Sequence, residues 1–143
     1  MKAVQIHNGF FVVLDRGEEV MTTIAQLGER EEVHWGAFEA IGMVEDVEIG
    51  YYDIESREYV LRQEAGPFEV VSFKGNITEF NEAPLVHAHA ALARCDETLE
   101  MIGGHVRSAR VAATLEMILW FVSQPLVREF DEETGLNLIN INV

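Results

Sequence analysis

Val106-Arg107-Ser108-Ala109-Arg110-Val111-Ala112-Ala113-Thr114-Leu115-Glu116-Met117-Ile118-Leu119-Trp120-Phe121-Val122 is the stretch whose reading decides the fold. Ala, Leu, Met and Glu favour a helix, so propensity alone leans that way. Nearly every residue from Val111 onward is apolar, however, and neither a helical nor a strand period stands out. Gln124-Pro125 ends the stretch. Beyond it, residues 126–130 and 136–141 read as a hairpin turning through Asp131 to Gly135.

Working back toward the N-terminus, residues 4–14 read as a strand that Gly17 breaks. From Glu18 onward, Val20, Met21, Ile24, Ala25 and Leu27 share one helical face, with Glu18, Glu19, Gln26 and Arg30 opposite. Glu18 and Glu19 fall in the expected first turn, where the helix dipole favours negative charge. Residues 35–52 alternate as a strand, with Phe38, Ala40, Gly42, Val44 and Asp46 on one side. Residues 47–61 read as a hairpin, and residues 68–73 follow Gly66-Pro67 as another strand. Residues 76–84 are polar and turn-rich, 85–92 a buried strand, and 96–104 a connection ending in a glycine pair. With no linker, repeat or low-complexity segment, residues 1–143 are expected to form one domain.

Composition narrows the function classes. Ten basic side chains against 25 acidic ones give a formal charge of −15. Binding to nucleic acid relies on Lys and Arg displacing counterions from phosphates, and docking on anionic lipid needs the same charge. The basic residues here, eight Arg with Lys2 and Lys74, form no stripe. Cys95 is the sole cysteine, which excludes an intrachain disulfide and a thiolate zinc site. The N-terminal apolar run is interrupted by His7, Asn8 and Gly9 and reads as strand rather than signal peptide. No apolar stretch approaches the ~20 residues that span a bilayer. A soluble, cytoplasmic protein is expected.

Three of the five histidines carry the candidate chemistry. His87 and His89 lie in Leu85-Val86-His87-Ala88-His89-Ala90-Ala91-Leu92, where i and i+2 on a strand point to one face. Two imidazoles at that spacing can reach one metal at about 2.0–2.1 Å. His105 follows Gly103-Gly104, a pair able to bring the backbone close to another segment. Three neutral imidazoles with no fourth protein ligand describe an open zinc site with water in the remaining position. On spacing alone, two half-buried imidazoles bonded to backbone and a histidine in a loop remain the favoured reading. His7, before Asn8-Gly9, is expected in a turn or bulge.

Gly75-Asn76-Ile77, then Pro84-Leu85-Val86-His87-Ala88-His89-Ala90, then Gly103-Gly104-His105, resembles the PPC domain, the "plants and prokaryotes conserved" family. Ala40-Ile41-Gly42 with Gly50-Tyr51-Tyr52-Asp53 is similar to its early strand and hairpin, and Phe68 to Gly75 to its central strand. Val111 to Leu119 resembles its late strand, and Asp131 to Leu136 its closing hairpin. The resemblance implies an α+β fold: a curved, mainly antiparallel sheet with one main N-terminal helix and short helical segments in a single compact domain. It turns residues 106–122 from helix to strand. It also implies a homotrimer and a metal, usually zinc, on His87, His89 and His105. That ligand set is similar to the three-histidine zinc of acetolactate decarboxylase, a related fold. The chain contains no Arg-Gly-Arg-Pro core, so it matches the stand-alone form without the AT-hook by which plant members chiefly bind DNA.

Two functions follow as expectations. In a metal-dependent small-molecule enzyme the open site needs a proton carrier, and Glu116 is the candidate, a single charge in an apolar run. Its bland alternatives are an ion pair with Arg107 or Arg110, or exposure. In a trimeric binding module the metal is structural and a pocket takes a small ligand. A DNA-binding role is the weaker third reading, opposed by the charge. Asn76 and Glu79 are expected to be turn residues.

Overall fold

The computed structural model describes residues 1–141, over which the chain forms nine strands and one helix. In order these are β1 (Lys2–Ile6), β2 (Gly9–Asp15), α1 (Val20–Arg30), β3 (Gly36–Asp53), β4 (Glu58–Glu64), β5 (Phe68–Phe80), β6 (Ala83–Arg94), β7 (Met101–Phe121), β8 (Val127–Asp131) and β9 (Leu136–Asn140). This corrects the expected α+β class. The fold is a curved mixed sheet, and α1 is the one helix among the described residues, with strand or turn where short helical segments were expected. The stretch that leaned helical lies in β7. There Leu115, Met117 and Leu119 are buried and alternate with Glu116, Ile118 and Trp120 on the outer face. Because two of those three outward residues are apolar, the period of two is invisible in the sequence.

Strand β3 organises the sheet. It pairs antiparallel with β5, from Gly36↔Ile77 to Val44↔Phe68, and with β7, from Gly36↔Phe121 to Gly50↔His105. β5 turns back onto β6, and the end of β6 pairs with the start of β7. The circuit β3–β5–β6–β7–β3 is therefore closed by hydrogen bonds, which removes edges from its most apolar strands. β4 extends β3, and β1 with β2 extends β7. The hairpin β8–β9 joins through the parallel pair Glu79↔Val127.

Several expected boundaries move for identifiable reasons. The strand expected over residues 4–14 is two strands, because Gly9 adopts φ +150° and a Cβ there would lie 1.8 Å from the Leu119 carbonyl oxygen. The strict alternation expected through Asp46 fails at a bulge. Asp46 has φ +51° and is exposed, the β3–β7 register slips between Glu45 and Glu48, and Val44, Val47 and Ile49 are buried instead.

Helix α1 buries Val20, Ile24 and Leu27 against the interior that also holds Phe38, Val44, Leu92 and Leu119. Its start is held by Glu19, which is the N-cap rather than a first-turn residue. The Glu19 carboxylate accepts from the amides of Met21 at 3.2 Å and Thr22 at 2.7 Å, and from Ala109 on β7 at 3.2 Å. One side chain thus satisfies two orphan helix donors and one strand donor. Glu19→Ala is expected to lower unfolding stability by about 1–2 kcal/mol. Urea unfolding checks this; an unchanged midpoint would show that the cap bears no load.

Candidate metal centre

The three histidines meet where β6 crosses the start of β7. His89 lies directly opposite His105 in the antiparallel register, and His87 is one strand repeat away on the same face. Ring centroids stand 5.1 Å apart for His87 with His89, 5.1 Å for His87 with His105, and 5.5 Å for His89 with His105. One nitrogen from each ring lies within 4.8 Å of the others. Ring rotation closes that span to the roughly 3.4 Å between ligands of a tetrahedral zinc with bonds of about 2.05 Å. Ala88 and Ala90 point the other way, into the core.

The glycine pair does its work differently from the expectation. Gly103 and Gly104 lie inside β7, opposite Ala91 and Ala90, not in a connection. Gly104 has φ +149°, and a Cβ there would sit 2.3 Å from the Gly50 carbonyl oxygen on β3. Its bare backbone lets β3, β7 and β6 crowd together, which fixes His105 beside His89. Gly75 does the same on β5, where a Cβ would meet the His87 carbonyl oxygen at 2.2 Å.

The electrostatics suit metal ligation. Burial lowers the pKa of His87, and the positive charge of Arg128 and then of His89 lower it further. Burial, with His87, His89 and Arg107 as lesser causes, brings His105 down to about 4. Both rings are therefore neutral at pH 7, with lone pairs available. The cluster consists of histidines alone, no carboxylate joining it among the described residues. Such a donor set fits a borderline metal ion with an open coordination position.

His87 and His105 open onto a cavity of about 480 Å³. Tyr59 packs its ring 4.5 Å from that of His105, and Tyr52 stands 5.0 Å from Tyr59. The β8–β9 hairpin walls the other side, held by the Tyr52 hydroxyl donating to the Thr134 carbonyl at 2.7 Å. From β8, Arg128 reaches back to β5. Its Nε donates to Thr78 Oγ1 at 2.8 Å, and its Nη2 lies 3.1 Å from Asn76 Oδ1 and 3.4 Å from His87 Nδ1. Asn76 is thus a strand residue paired opposite His87, not part of a turn, and Glu79 likewise lies in β5, opposite Pro84.

Glu116 is not brought to the histidines. It lies eleven positions beyond His105 on β7, some 35 Å of strand, is exposed, and lines a separate cavity of about 430 Å³ with Glu39 and Lys74. It makes no ion pair with Arg107 or Arg110 among the described residues. His7 sits in the β1–β2 turn, and His34 lies beside Trp35. Sequence reasoning missed Arg128 and Tyr59, which reach the site through long-range pairing and carry no local motif.

The closed sheet and its three-histidine cluster define a small β-rich domain with a candidate mononuclear metal centre. The chain belongs to the Plants and Prokaryotes Conserved (PCC) domain family, whose pattern matches residues 1–122. It is similar to a metal-containing protein from Archaeoglobus fulgidus, at 35% identity over 99% of this chain and 100% of that one, with a TM-score of 0.85. It is also similar to a plant- and prokaryote-conserved (PPC) protein from Pyrococcus horikoshii, at 25% identity, covering 99% and 95% of the two chains, with a TM-score of 0.86. A third similar structure, named as a candidate DNA-binding protein, comes from Ralstonia eutropha, at 25% identity, 99% and 96% coverage and a TM-score of 0.90. No curated protein matches the chain.

Because Gly104 has no room for a side chain, Gly104→Ala is expected to force β7 from β3 and reduce bound metal several-fold. Gly17→Ala, also at positive φ but with nothing within 4 Å of the new Cβ, is expected to retain it. Metal content per folded chain, with circular dichroism to establish folding, checks the pair. Equal metal in both variants would show that the close approach at Gly104 does not position His105.

Proposed function

We propose that in this PPC domain His87, His89 and His105 hold one divalent metal ion, zinc by preference, at which a small molecule is bound and acted on. The observation that carries this reading is the register pair His89↔His105 with His87 beside it, opening on a cavity of ordinary small-molecule size. The printed description of the Archaeoglobus protein as metal-containing supports it. When bound, a zinc ion with an open position supplies Lewis acidity, polarising a carbonyl or lowering the pKa of coordinated water. The chain's own residues orient the imidazoles, keep them neutral and shape the cavity. With Glu116 remote, Glu58, Tyr52 and Tyr59 are among the cavity groups able to carry a proton.

The experiment is metal analysis of the purified protein. About one zinc per chain is expected in the wild type and in Glu116→Gln, and at least a tenfold loss in His89→Ala. Stoichiometric zinc in His89→Ala would overturn the ligand assignment, and loss of zinc in Glu116→Gln would return that carboxylate to the site.

Self-association belongs to the same reading. Ile41, Val71 and Trp120 are 61%, 56% and 37% exposed on the outer sheet face, beside the cavity that Glu116 lines. These exposed apolar side chains, interspersed with Glu39, Lys74 and Glu116, suit a contact between copies, and the family resemblance implies three. Light scattering is expected to give about 48 kDa (3 × 16.1 kDa) for the wild type and a smaller mass for Ile41→Glu. A monomeric wild type would sink this assignment. No helix among the described residues is long and apolar enough to cross a membrane, and a single exposed Cys95 suits the reducing cytoplasm. The name of the Ralstonia protein favours DNA, but the charge of −15 opposes it here.

A further inference from the structure

The cavity beside the histidines departs from the charge of the whole molecule. Arg57, Arg107 and Arg128, three of only eight arginines in a chain of net charge −15, line this one space. Glu58 is the one carboxylate among the lining residues, so the fixed side-chain charge there is +2 (three guanidiniums less one carboxylate). The chain has 25 carboxylates with which to neutralise these guanidiniums, yet none of the three forms a salt bridge among the described residues. Arg57 donates to the Glu133 carbonyl at 3.1 Å, and Arg128 donates to the Asn137 carbonyl, a hydroxyl and an amide oxygen. Neutral acceptors hold the Arg128 side chain in place and leave its charge uncompensated. A half-buried guanidinium in that condition favours an anion.

The metal reading sharpens the point. Arg128 Nη2 lies 3.4 Å from His87 Nδ1, which can accept from it only while that nitrogen keeps a free lone pair. Whichever nitrogen of His87 takes a metal, Nδ1 ceases to be an acceptor: either its lone pair holds the ion or it carries the ring proton. An N–H of Arg128 is then left facing the cavity. Leu85, Val86, Leu136 and Leu138 supply apolar wall around it.

We propose that this cavity binds a small organic carboxylate, its anionic head held by Arg128 and Arg107 next to the histidine cluster and its body against the leucine-lined wall. The proposal rests on the metal reading for the release of the Arg128 donor. A carboxylate is favoured over a bare inorganic anion because the guanidinium fork matches it bidentately and the apolar wall would be wasted on phosphate. The hairpin that carries Arg128 lies beyond residue 122, where the family match ends, while His87, His105 and Arg107 lie within it.

The test is calorimetric titration of the zinc-loaded protein with benzoate, with its neutral isostere benzamide, and with inorganic phosphate. Benzoate is expected to bind at least about tenfold more tightly than benzamide, the difference a charge-assisted hydrogen bond makes. With each variant compared at full zinc occupancy, Arg128→Gln is expected to remove that preference, and Arg107→Gln, at an exposed position where folding is not at stake, to reduce it. Equal affinity for benzoate and benzamide, tighter binding of phosphate, or a preference surviving in both variants would overturn the proposal while leaving the metal site standing. A wild type that takes up no zinc would instead defeat the metal reading, and the same titrations on that protein would still judge the arginines.

Discussion

Strand β7 must be hydrogen-bonded along both edges, and most of the molecule is arranged to meet that requirement. One edge lies against β3 from His105 to Phe121. The other is divided among three partners: β6 at residues 101–105, β2 at residues 114–120, and the segment before α1 in the gap between them. In that gap Gly17 donates to the Val111 carbonyl at 2.8 Å, Val111 donates to the Glu18 carbonyl at 2.9 Å, and the Glu19 carboxylate takes the Ala109 amide. Leaving these groups buried and unpaired would cost about 1–3 kcal/mol each. The helix is therefore not an independent layer added to a sheet. Its N-terminal connection is the missing piece of a strand edge.

The same strand explains why the histidines sit where they do. Only at its beginning does β7 trade β2 for β6, and the trade requires three backbones to pass closely. Gly104 against Gly50, and Gly75 against His87, are positions where a methyl group would collide with a carbonyl oxygen. Closure of the circuit and convergence of the imidazoles are thus one event. The cluster faces away from the hydrophobic interior, where His89 remains exposed while His87 and His105 are half-buried. Partial burial and nearby positive charge act in the same direction on both half-buried rings, keeping them unprotonated.

What was legible in the sequence follows from the range of each interaction. The spacing of His87 and His89 is a strand property and was readable directly, as was the apolar face of α1. The partnership of His105 with them could be suspected from Gly103-Gly104, although the glycines act by allowing close strand approach within β7 rather than by bending a loop. Strand β7 itself was unreadable by periodicity because its outer face carries Ile118 and Trp120. Glu116 drew attention as a charge in an apolar run, and the same alternation puts it on the outer face, remote from the histidines. Arg128 had no local signal at all. Its position depends on long-range contacts, the parallel pair Glu79↔Val127 and the bonds of Tyr52 and Arg57 to the Thr134 and Glu133 carbonyls, that bring the hairpin over the site.

The charge of the chain also takes on a different meaning once the arginines are located. A net −15 spread evenly would repel any anion from every face. Here the acidic groups are mostly outward, and ion pairs such as Arg62 with Glu64, Arg94 with Glu64, and Lys74 with Glu39 consume cations elsewhere. Of the five guanidiniums that form no ion pair among the described residues, Arg57, Arg107 and Arg128 line the cavity beside the imidazoles, while Arg16 and Arg110 lie near the start of α1. Three uncharged ligands would leave the full charge of a divalent ion uncompensated, and the arginines beside it add to that field rather than cancel it. A structural zinc site is usually closed by a fourth protein ligand, and the cluster among the described residues offers three histidines. With neutral ligands and a lining that sets three guanidiniums against the single carboxylate of Glu58, the proposed metal site favours an anion from solution.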